Sequence, residues 1–516
     1  MKENIWTLIS ESLKADMSHT AWICRLGKSK TREVSYGEIY HAALNLAADL
    51  RKRGVQKGDR IGLMAPNGPE WTVASLAIWK IGAVLTPIHV GNSDHEITAQ
   101  IEATQPSLIL SHHRALTDAD IPIEPNYDAH LTEREAEFEP PASGNDEALA
   151  IYTSGSTGNP KIVRLSHRNV VTNVIASSRL SDADAEDSFL ALLPFSHAMG
   201  LTGVMLLALH VGATLVAPKV LAASEILDAM RDNRISILVA VPRLFRNIML
   251  GLEKRIATGG RPLQLYVNAL RHMPLFMRKK LNAPIRKQFG GNLKCWMSGG
   301  SRLDPDIKKY FLNLGISLRQ GYGLTETTPV VSAQEHFDEV LDSVGKPLQD
   351  IEVKIASPDE SGNGELLVRG PNVMLGYTDE KLTKEVIVDG WFHTGDIAHI
   401  DAAGNIVLTG RSKRLIVTES GKNVYPEELE TLLERDPMIT EAAVLELDMR
   451  PAAVLVLACE DPVTEARRIL KEFNKLVSAH NQITRFALID ELPRTPLGKI
   501  ALHKLPTFFR ENEVSD

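Results

Sequence analysis

The chain has 516 residues, enough for two to four domains and a large buried core. Its 44% hydrophobic and 24% charged content is that of an ordinary globular protein, and a net charge of −8 argues against a nucleic-acid binder. Cys24, Cys295 and Cys459 stand alone, with no CxxC pair and no disulfide framework, so buried free thiols in a reducing cytoplasm are expected.

The N-terminal stretch MKENIWTLISESLKAD lacks the apolar run of a secretory signal. Apolar positions at Ile39, Ala42, Ala43, Leu46, Ala47 and Leu50 predict a helix over 37–53. IGLMA then predicts a strand, 70–81 a helix, AVLTPI a strand, 97–104 a helix and SLILS a strand. Alternation of this kind signals parallel sheet with crossover helices. It resumes with a helix over 169–177, strand SFLALLPF, helix 201–209, strand ATLVAP, helix 222–231 and strand ISILVAVP. The apolar run 201–218 contains His210, Thr202, Thr214 and glycines, which favours a buried helix and strand over a membrane span. Contact with a membrane surface stays open.

Residues 243–290 are helical in tendency and basic, through Arg271, Arg278, Lys279, Lys280, Arg286 and Lys287. They predict a solvated face, or a docking surface for an anionic partner. From Asp342 short strands and turns take over (DIEVKI, GELLVRG, DIAHI), predicting a β-rich subdomain over about 342–411. Beyond it, RLIVTESGKNV predicts a strand–turn–strand, Pro426 with Glu427 and Glu428 opens a helix, and further strands surround an amphipathic helix at Ala466, Ile469, Leu470 and Phe473. The expected architecture is α/β throughout. A large N-terminal domain, 1–411, combines parallel-rich βα layers with the β-rich subdomain, and a small mobile α/β domain follows over 412–516.

The chemistry-bearing stretches begin with IYTSGSTGNPK at 151–161, launched from a short apolar strand. Thr153, Ser154, Ser156 and Thr157 supply hydroxyls, Gly155 and Gly158 let backbone N–H groups turn inward, and Lys161 adds positive charge. Such a loop suits a polyphosphate, although a plain Ser/Thr/Gly loop is the alternative. It is no Walker A motif, because Asn159 and Pro160 separate the last glycine from the lysine and Ile162 follows it. Downstream come LPFSHAMGL with His197, MSGGSRL with Gly299 and Gly300, QGYGLTETTP with Tyr322, Gly323, Thr325 and Glu326, WFHTGD with Asp396, TGR with Arg411, and PRTPLGKI with Lys499. Each has a bland alternative. Glu326 could be a helix-start acid, Asp396 and Arg411 a surface ion pair, Lys499 a solvated lysine and His197 a core histidine. His89, Asp94, His95, Glu96 and the pair His112–His113 lack zinc-site spacing and are expected to be solvated loop residues.

Taken in order, these strings resemble the adenylate-forming superfamily of acyl-CoA synthetases, peptide-synthetase adenylation domains and firefly-type luciferases, over roughly 30–505. The resemblance implies ATP-dependent activation of a carboxylic acid to acyl-AMP with pyrophosphate release, then capture by a thiol, usually of coenzyme A. It implies that Thr153, Ser154, Gly155, Ser156, Thr157, Gly158 and Lys161 cradle the β- and γ-phosphates. Glu326 would hold Mg²⁺, Thr325 the α-phosphate region, Tyr322 the adenine, and Asp396 and Arg411 the ribose. Gly300 would line the nucleotide site, His197 would wall the acyl pocket, and Lys499 would reach carboxylate and α-phosphate from the small domain. Lys413 matches the family's hinge position. RLIVTESGKNVYPEELE, VPRLFRNI and the basic insert look most like long-chain fatty acyl-CoA synthetases, although Ile162 stands where a glycine is usual. A medium- or long-chain fatty acid is therefore the expected substrate. Transfer to a carrier-protein phosphopantetheine, release of acyl-AMP and a different acid are the alternatives. Gly323, Gly299 and Gly300 are expected to leave an acyl tunnel open. A cytoplasmic monomer or homodimer is expected, with Mg²⁺, ATP and coenzyme A as its small-molecule partners.

Overall fold

The computed structural model describes residues 4–26, 30–112, 121–122, 141–153, 161–418, 422–494 and 500–514. Its described residues divide into two compact units. The first runs through Pro160–Val353 and Val368–Phe392 together with the N-terminal segment, and the second comprises Lys354–Leu367 and His393–Asp516. Packing thus groups the strand pair that carries Asp396 and Arg411 with the C-terminal segment, earlier in the chain than the expected boundary at 411.

In the first unit most of the described strands form two sheets. A nine-stranded sheet runs, edge to edge, Lys346–Pro347, Ser332–Ala333, Leu318–Tyr322, Cys295–Ser298, Ile237–Ala240, Ser188–Leu190, Thr214–Ala217, Thr20–Arg25 and Thr31–Ser35. Its six central strands pair in parallel, as the alternation of apolar runs and helical stripes predicts. A seven-stranded sheet orders Gly376–Tyr377, Lys161–Ser166, Glu147–Thr153, Val84–Pro87, Arg60–Met64, Leu108–Ser111 and Ile121–Pro122.

One core cluster takes side chains from both sheets and from the helices Tyr36–Lys52, Pro69–Lys80 and His167–Ser181. The helix Pro69–Lys80 buries every residue except Glu70, so it lies wholly inside the fold. Proline opens it and Trp71, Ile78 and Trp79 are fully buried. Trp71 meets Phe195 edge-on at 5.5 Å, and truncating such a ring to alanine costs about 3–5 kcal/mol.

The apolar run after His197 is a helix and a strand, as expected. It departs from regular α geometry in a π-helical stretch, Leu201–Leu206, before Leu207–Val211 and the strand Thr214–Ala217. Among the described residues no helix is long and apolar enough to cross a membrane. The expected strand SFLALLPF is shorter than its apolar run, covering only Ser188–Leu190. Asn67 captures the next residues, donating to the carbonyls of Ala191 (3.1 Å) and Leu193 (2.8 Å) and accepting from the Phe195 N–H (3.0 Å).

The second unit contains a three-stranded sheet of Ile439–Leu447, Arg450–Leu457 and Arg485–Leu488. Helices Pro426–Leu433 and Pro462–Leu476 add Leu429, Leu433, Ala466, Ile469, Leu470 and Phe473 to its core. Proline and acids open the first of these helices as the sequence requires.

Candidate active site

In the first unit, strand Glu147–Thr153 pairs antiparallel with Lys161–Ser166, and Thr153 stands opposite Lys161. The Thr153 hydroxyl donates to the Lys161 carbonyl at 3.3 Å. The two ends of the glycine-rich loop are therefore clamped side by side. Ser154, Gly155, Ser156, Thr157 and Gly158 themselves lie outside the described residues.

On the other flank of Lys161–Ser166 sits the short strand Gly376–Tyr377, with Tyr377 opposite Val163. This brings Tyr377 to the loop's end. Its ring lies 4.6 Å from the Lys161 ammonium, and its hydroxyl donates to Glu326 Oε1 at 2.8 Å. Burial, reinforced by the Glu326 carboxylate, pushes the Tyr377 hydroxyl far above its ordinary pKa. It is therefore a permanent donor that holds the carboxylate in one orientation. The Glu326 backbone is fixed as well, because its carbonyl accepts from the Met374 N–H at 2.9 Å. Sequence reading overlooked Tyr377. The aromatic after a glycine in PNVMLGYTDE was the available signal, but only strand pairing shows that it reaches Glu326.

Glu326 lies in the one-turn 3₁₀ helix Thr325–Thr327 that follows strand Leu318–Tyr322. That strand runs parallel to Cys295–Ser298 with Ser298 opposite Gln320. Gly299, Gly300 and Tyr322 thus emerge at the same carboxyl edge of the sheet, where open α/β sheets place their ligands. Gly300 has φ +84°, which a glycine adopts without strain. Met199 covers this turn, with its sulfur 2.7 Å from where a Gly299 Cβ would stand.

Gly323 does not open a tunnel. A Cβ there would stand 1.6 Å from the Pro329 carbonyl oxygen and 3.0 Å from the Val331 nitrogen. The glycine is needed because backbone passes directly against it. A positive φ is not the reason, since Gly323 is absent from the glycines that adopt one.

His197 caps the helical turn Ala198–Gly200, and its N–H donates to the Pro194 carbonyl at 3.1 Å. His89 faces it, with ring centroids 5.5 Å apart. His89 Nδ1 lies 3.1 Å from the Ser196 hydroxyl, and burial lowers its pKa. His89 is therefore a half-buried neighbour of His197, contrary to the expected solvated loop residue. Nearby Glu96 belongs to a capping box with Ser93, and among the described residues no cluster of three metal-ligating side chains occurs.

In the second unit, Asp396 stands opposite Arg411 on paired strands, with Arg411 Nε 3.1 Å from Asp396 Oδ1. Asp396 is buried and Arg411 is half exposed, so the pair is anchored and not a loose surface contact. Lys413 lies in the one-turn 3₁₀ helix Ser412–Arg414. Lys499 falls outside the described residues; Arg494 and Ile500 pair in an antiparallel bridge.

The model of the family described as "AMP-binding enzyme" matches residues 9–378. The chain belongs to the AMP-binding enzyme family. Within that family it is similar to an indoleacetate–CoA ligase of Aromatoleum aromaticum, 30% identical over 91% of this chain and 92% of the relative. It is also similar to a long-chain-fatty-acid–CoA ligase of Mycobacterium bovis, 27% identical over 86% and 80%. The solved structure of ATP-bound MatB from Rhodopseudomonas palustris shares the fold with a TM-score of 0.80, covering 99% of each chain at 23% identity. Its curated relatives make this AMP-binding enzyme an acyl-CoA ligase of the adenylate-forming type, and those relatives differ in the acid they take.

Proposed function

We propose that this enzyme joins a medium- or long-chain fatty acid to coenzyme A through an acyl-AMP intermediate. A carboxylate oxygen attacks the α-phosphorus of ATP, the bond to the β-phosphate breaks and pyrophosphate leaves. The thiol sulfur then attacks the acyl carbon and AMP leaves. The observation that carries this reading is the cluster Lys161–Tyr377–Glu326 at the clamped end of the glycine-rich loop. Two anions must meet in the first step, so the site needs a cation and a carboxylate-held metal where phosphate charge accumulates.

Glu326 fits a Mg²⁺ ligand. Mg²⁺ is usually held by one or two carboxylates and substrate phosphates, and among the described residues Glu326 Oε2 makes no hydrogen bond. When bound, the ion would neutralise charge on phosphate oxygens. Lys161 contributes positive charge at the loop's end, and Tyr377 orients Glu326. Thr325 is assigned to the α-phosphate, Tyr322 to the adenine face and Gly300 to the nucleotide wall. Asp396 and Arg411 are assigned to the ribose, and His197 to the acyl side with Met199. Lys499 is assigned to the carboxylate and α-phosphate, and Lys413 to the hinge of a mobile domain from about 412.

The fatty-acid assignment is supported by the long-chain relative and by the segments RLIVTESGKNVYPEELE and VPRLFRNI. An aromatic acetic acid is the second reading, favoured by the 30% identical indoleacetate ligase. ATP–pyrophosphate exchange across saturated acids of rising length and aryl acids separates them. Repeating the panel with coenzyme A and with a carrier protein identifies the acceptor. Exchange with aryl acids alone would overturn the fatty-acid assignment.

A further inference from the structure

We infer that the basic helical segment 242–287 is a docking face for an anionic phospholipid surface. This segment carries eleven lysines and arginines against a single acid, Glu253, in a chain whose net charge is −8. Three consecutive helices, Pro242–Thr258, Gly260–Arg271 and Leu275–Leu281, make up most of it, and the short helix Ala283–Arg286 follows. They pack inward through Phe245, Ile248, Leu252, Val267 and Leu270.

Their outward faces share one pattern. Leu250 is 51% exposed, Leu265 68% and Phe276 63%, each a large apolar side chain turned to water. Each has a cation four residues away on its own helix: Lys254 after Leu250, Arg261 before Leu265 and Lys280 after Phe276. Residues four apart lie on one helical face, so apolar tip and positive charge are presented together three times over.

Part of the charge serves the fold. Arg278 donates to the Met273 carbonyl, Arg286 to that of Leu293, and Lys279 lies over the Phe337 ring. Arg243, Lys254, Arg255, Arg261, Lys280 and Lys287 are exposed and form no ion pair with any described residue. An acidic protein would satisfy the charge but would leave Leu265 and Phe276 in water. A bilayer interface satisfies both, with phosphate headgroups for the cations and the acyl boundary for the side-chain tips. Docking there would place the ligase where a water-insoluble acid resides. That benefit rests on the fatty-acid reading, whereas the docking itself does not.

The test is co-sedimentation of the full chain with vesicles of phosphatidylcholine alone or mixed with phosphatidylglycerol. The expected result is binding to the mixed vesicles at low salt. That binding should weaken at about 1 M salt, where the Debye length falls to about 3 Å, and little should occur on phosphatidylcholine. Each cation near the surface contributes about fivefold, so Lys254→Glu with Arg261→Glu and Lys280→Glu should weaken binding by about 100-fold or more. Leu265→Ser with Phe276→Ser should weaken it while preserving the salt dependence. These positions are exposed and outside the proposed site, so melting temperature and pyrophosphate exchange with a soluble acid should stay unchanged. Failure of the wild type to bind the mixed vesicles, or undiminished binding by the charge-reversed variant, overturns the proposal. Undiminished binding by the Leu265/Phe276 variant overturns insertion of the apolar tips. Charge-dependent retention on an acidic carrier protein without vesicle binding assigns the face to a protein instead. Vesicle binding needs no catalysis, so this outcome and that of the exchange panel are independent.

Discussion

Tyr377→Phe is the most direct probe of the candidate site. It removes one oxygen and keeps the ring that lies against the Lys161 ammonium. The lost contact is the 2.8 Å hydrogen bond to Glu326 Oε1. A hydrogen bond to a charged group contributes about 1.5–3 kcal/mol, and Tyr377 is buried, so water does not readily replace it. If Tyr377 orients the carboxylate that holds Mg²⁺, the variant should lose about 10- to 150-fold in kcat/KM for ATP, with a raised Mg²⁺ requirement. The assay is ATP–pyrophosphate exchange at varied ATP and Mg²⁺, with a melting curve alongside. Burial keeps the phenol protonated throughout the accessible pH range, so the acid and alkaline limbs of the rate profile should not move. Exchange within twofold of wild type at every Mg²⁺ concentration, with only a lowered melting temperature, would refute the reasoning and leave Tyr377 a packing residue.

Lys499→Ala should abolish acyl-AMP formation and largely spare thioester formation from supplied acyl-AMP; equal loss of both half-reactions would remove the lysine from its assigned step. Lys413→Pro should keep adenylation and lose thiol transfer, and normal overall turnover would dismiss it as the hinge. Gly323→Ala should destabilise the fold by about 3 kcal/mol or more, because its Cβ must displace the Pro329 carbonyl, and urea titration reads that loss. Activity of that variant should fall uniformly over acids of every length, and a selective shift to short acids would restore Gly323 as a pocket residue. His167 is fully buried, accepts from the Ile5 N–H at 3.3 Å, and is pushed by burial from 6.5 down to about 4. The neutral form's stabilisation, about 3 kcal/mol, is complete above pH 6.5 and is lost as pH falls towards 4. His167→Asn should flatten that acid limb in denaturant titrations from pH 7 to 4.

Most of the element order was legible in the sequence, since period-2 and period-3.6 burial leave different marks. The helix Pro69–Lys80 illustrates what local pattern cannot convey. Its sequence shows helical spacing at Trp71, Ala74 and Ile78, yet nearly all of it is buried, because other helices and strands pack around it. The run SFLALLPF shows the reverse. Apolar character suggested a long strand, but Asn67, more than a hundred residues away, takes the backbone groups that a ladder would have used. At the site, Glu326, Tyr322 and Lys161 could be named from motif alone, whereas Tyr377 and His89 could not. Their roles depend on which strand or loop lies beside which, and spacing along the chain does not carry that information. Gly323 was misjudged for the same reason. A glycine in sequence is only a missing side chain, and the structure decides whether backbone or open space takes its place.

The place assigned to the hinge follows from what is held on either side of it. Arg411 is registered opposite Asp396 on the strand pair and bonded to it. Three residues on, the Arg414 guanidinium bonds to Glu427 and Glu430 at the start of helix Pro426–Leu433, and to the Val444 carbonyl in strand Ile439–Leu447. Desolvation opposes the charge of Arg414, but Glu430 and Glu427 outweigh it and raise its pKa, so the cation keeps its charge, whereas burial raises the pKa of Glu430, so acid weakens this anchor by protonating that carboxylate. Rotation before Arg411 would tear a registered ladder, and rotation after Arg414 would strip a buried cation of its partners. Between them lie only Ser412 and Lys413, in a single 3₁₀ turn across which the Leu415 N–H donates to the Arg411 carbonyl. A change of φ or ψ there must break that bond, about 1 kcal/mol, together with the contact of the Tyr425 hydroxyl with Asp359. A proline at 413 is compatible with the φ of a 3₁₀ turn and incompatible with much else, so it should preserve this conformation and block the alternative.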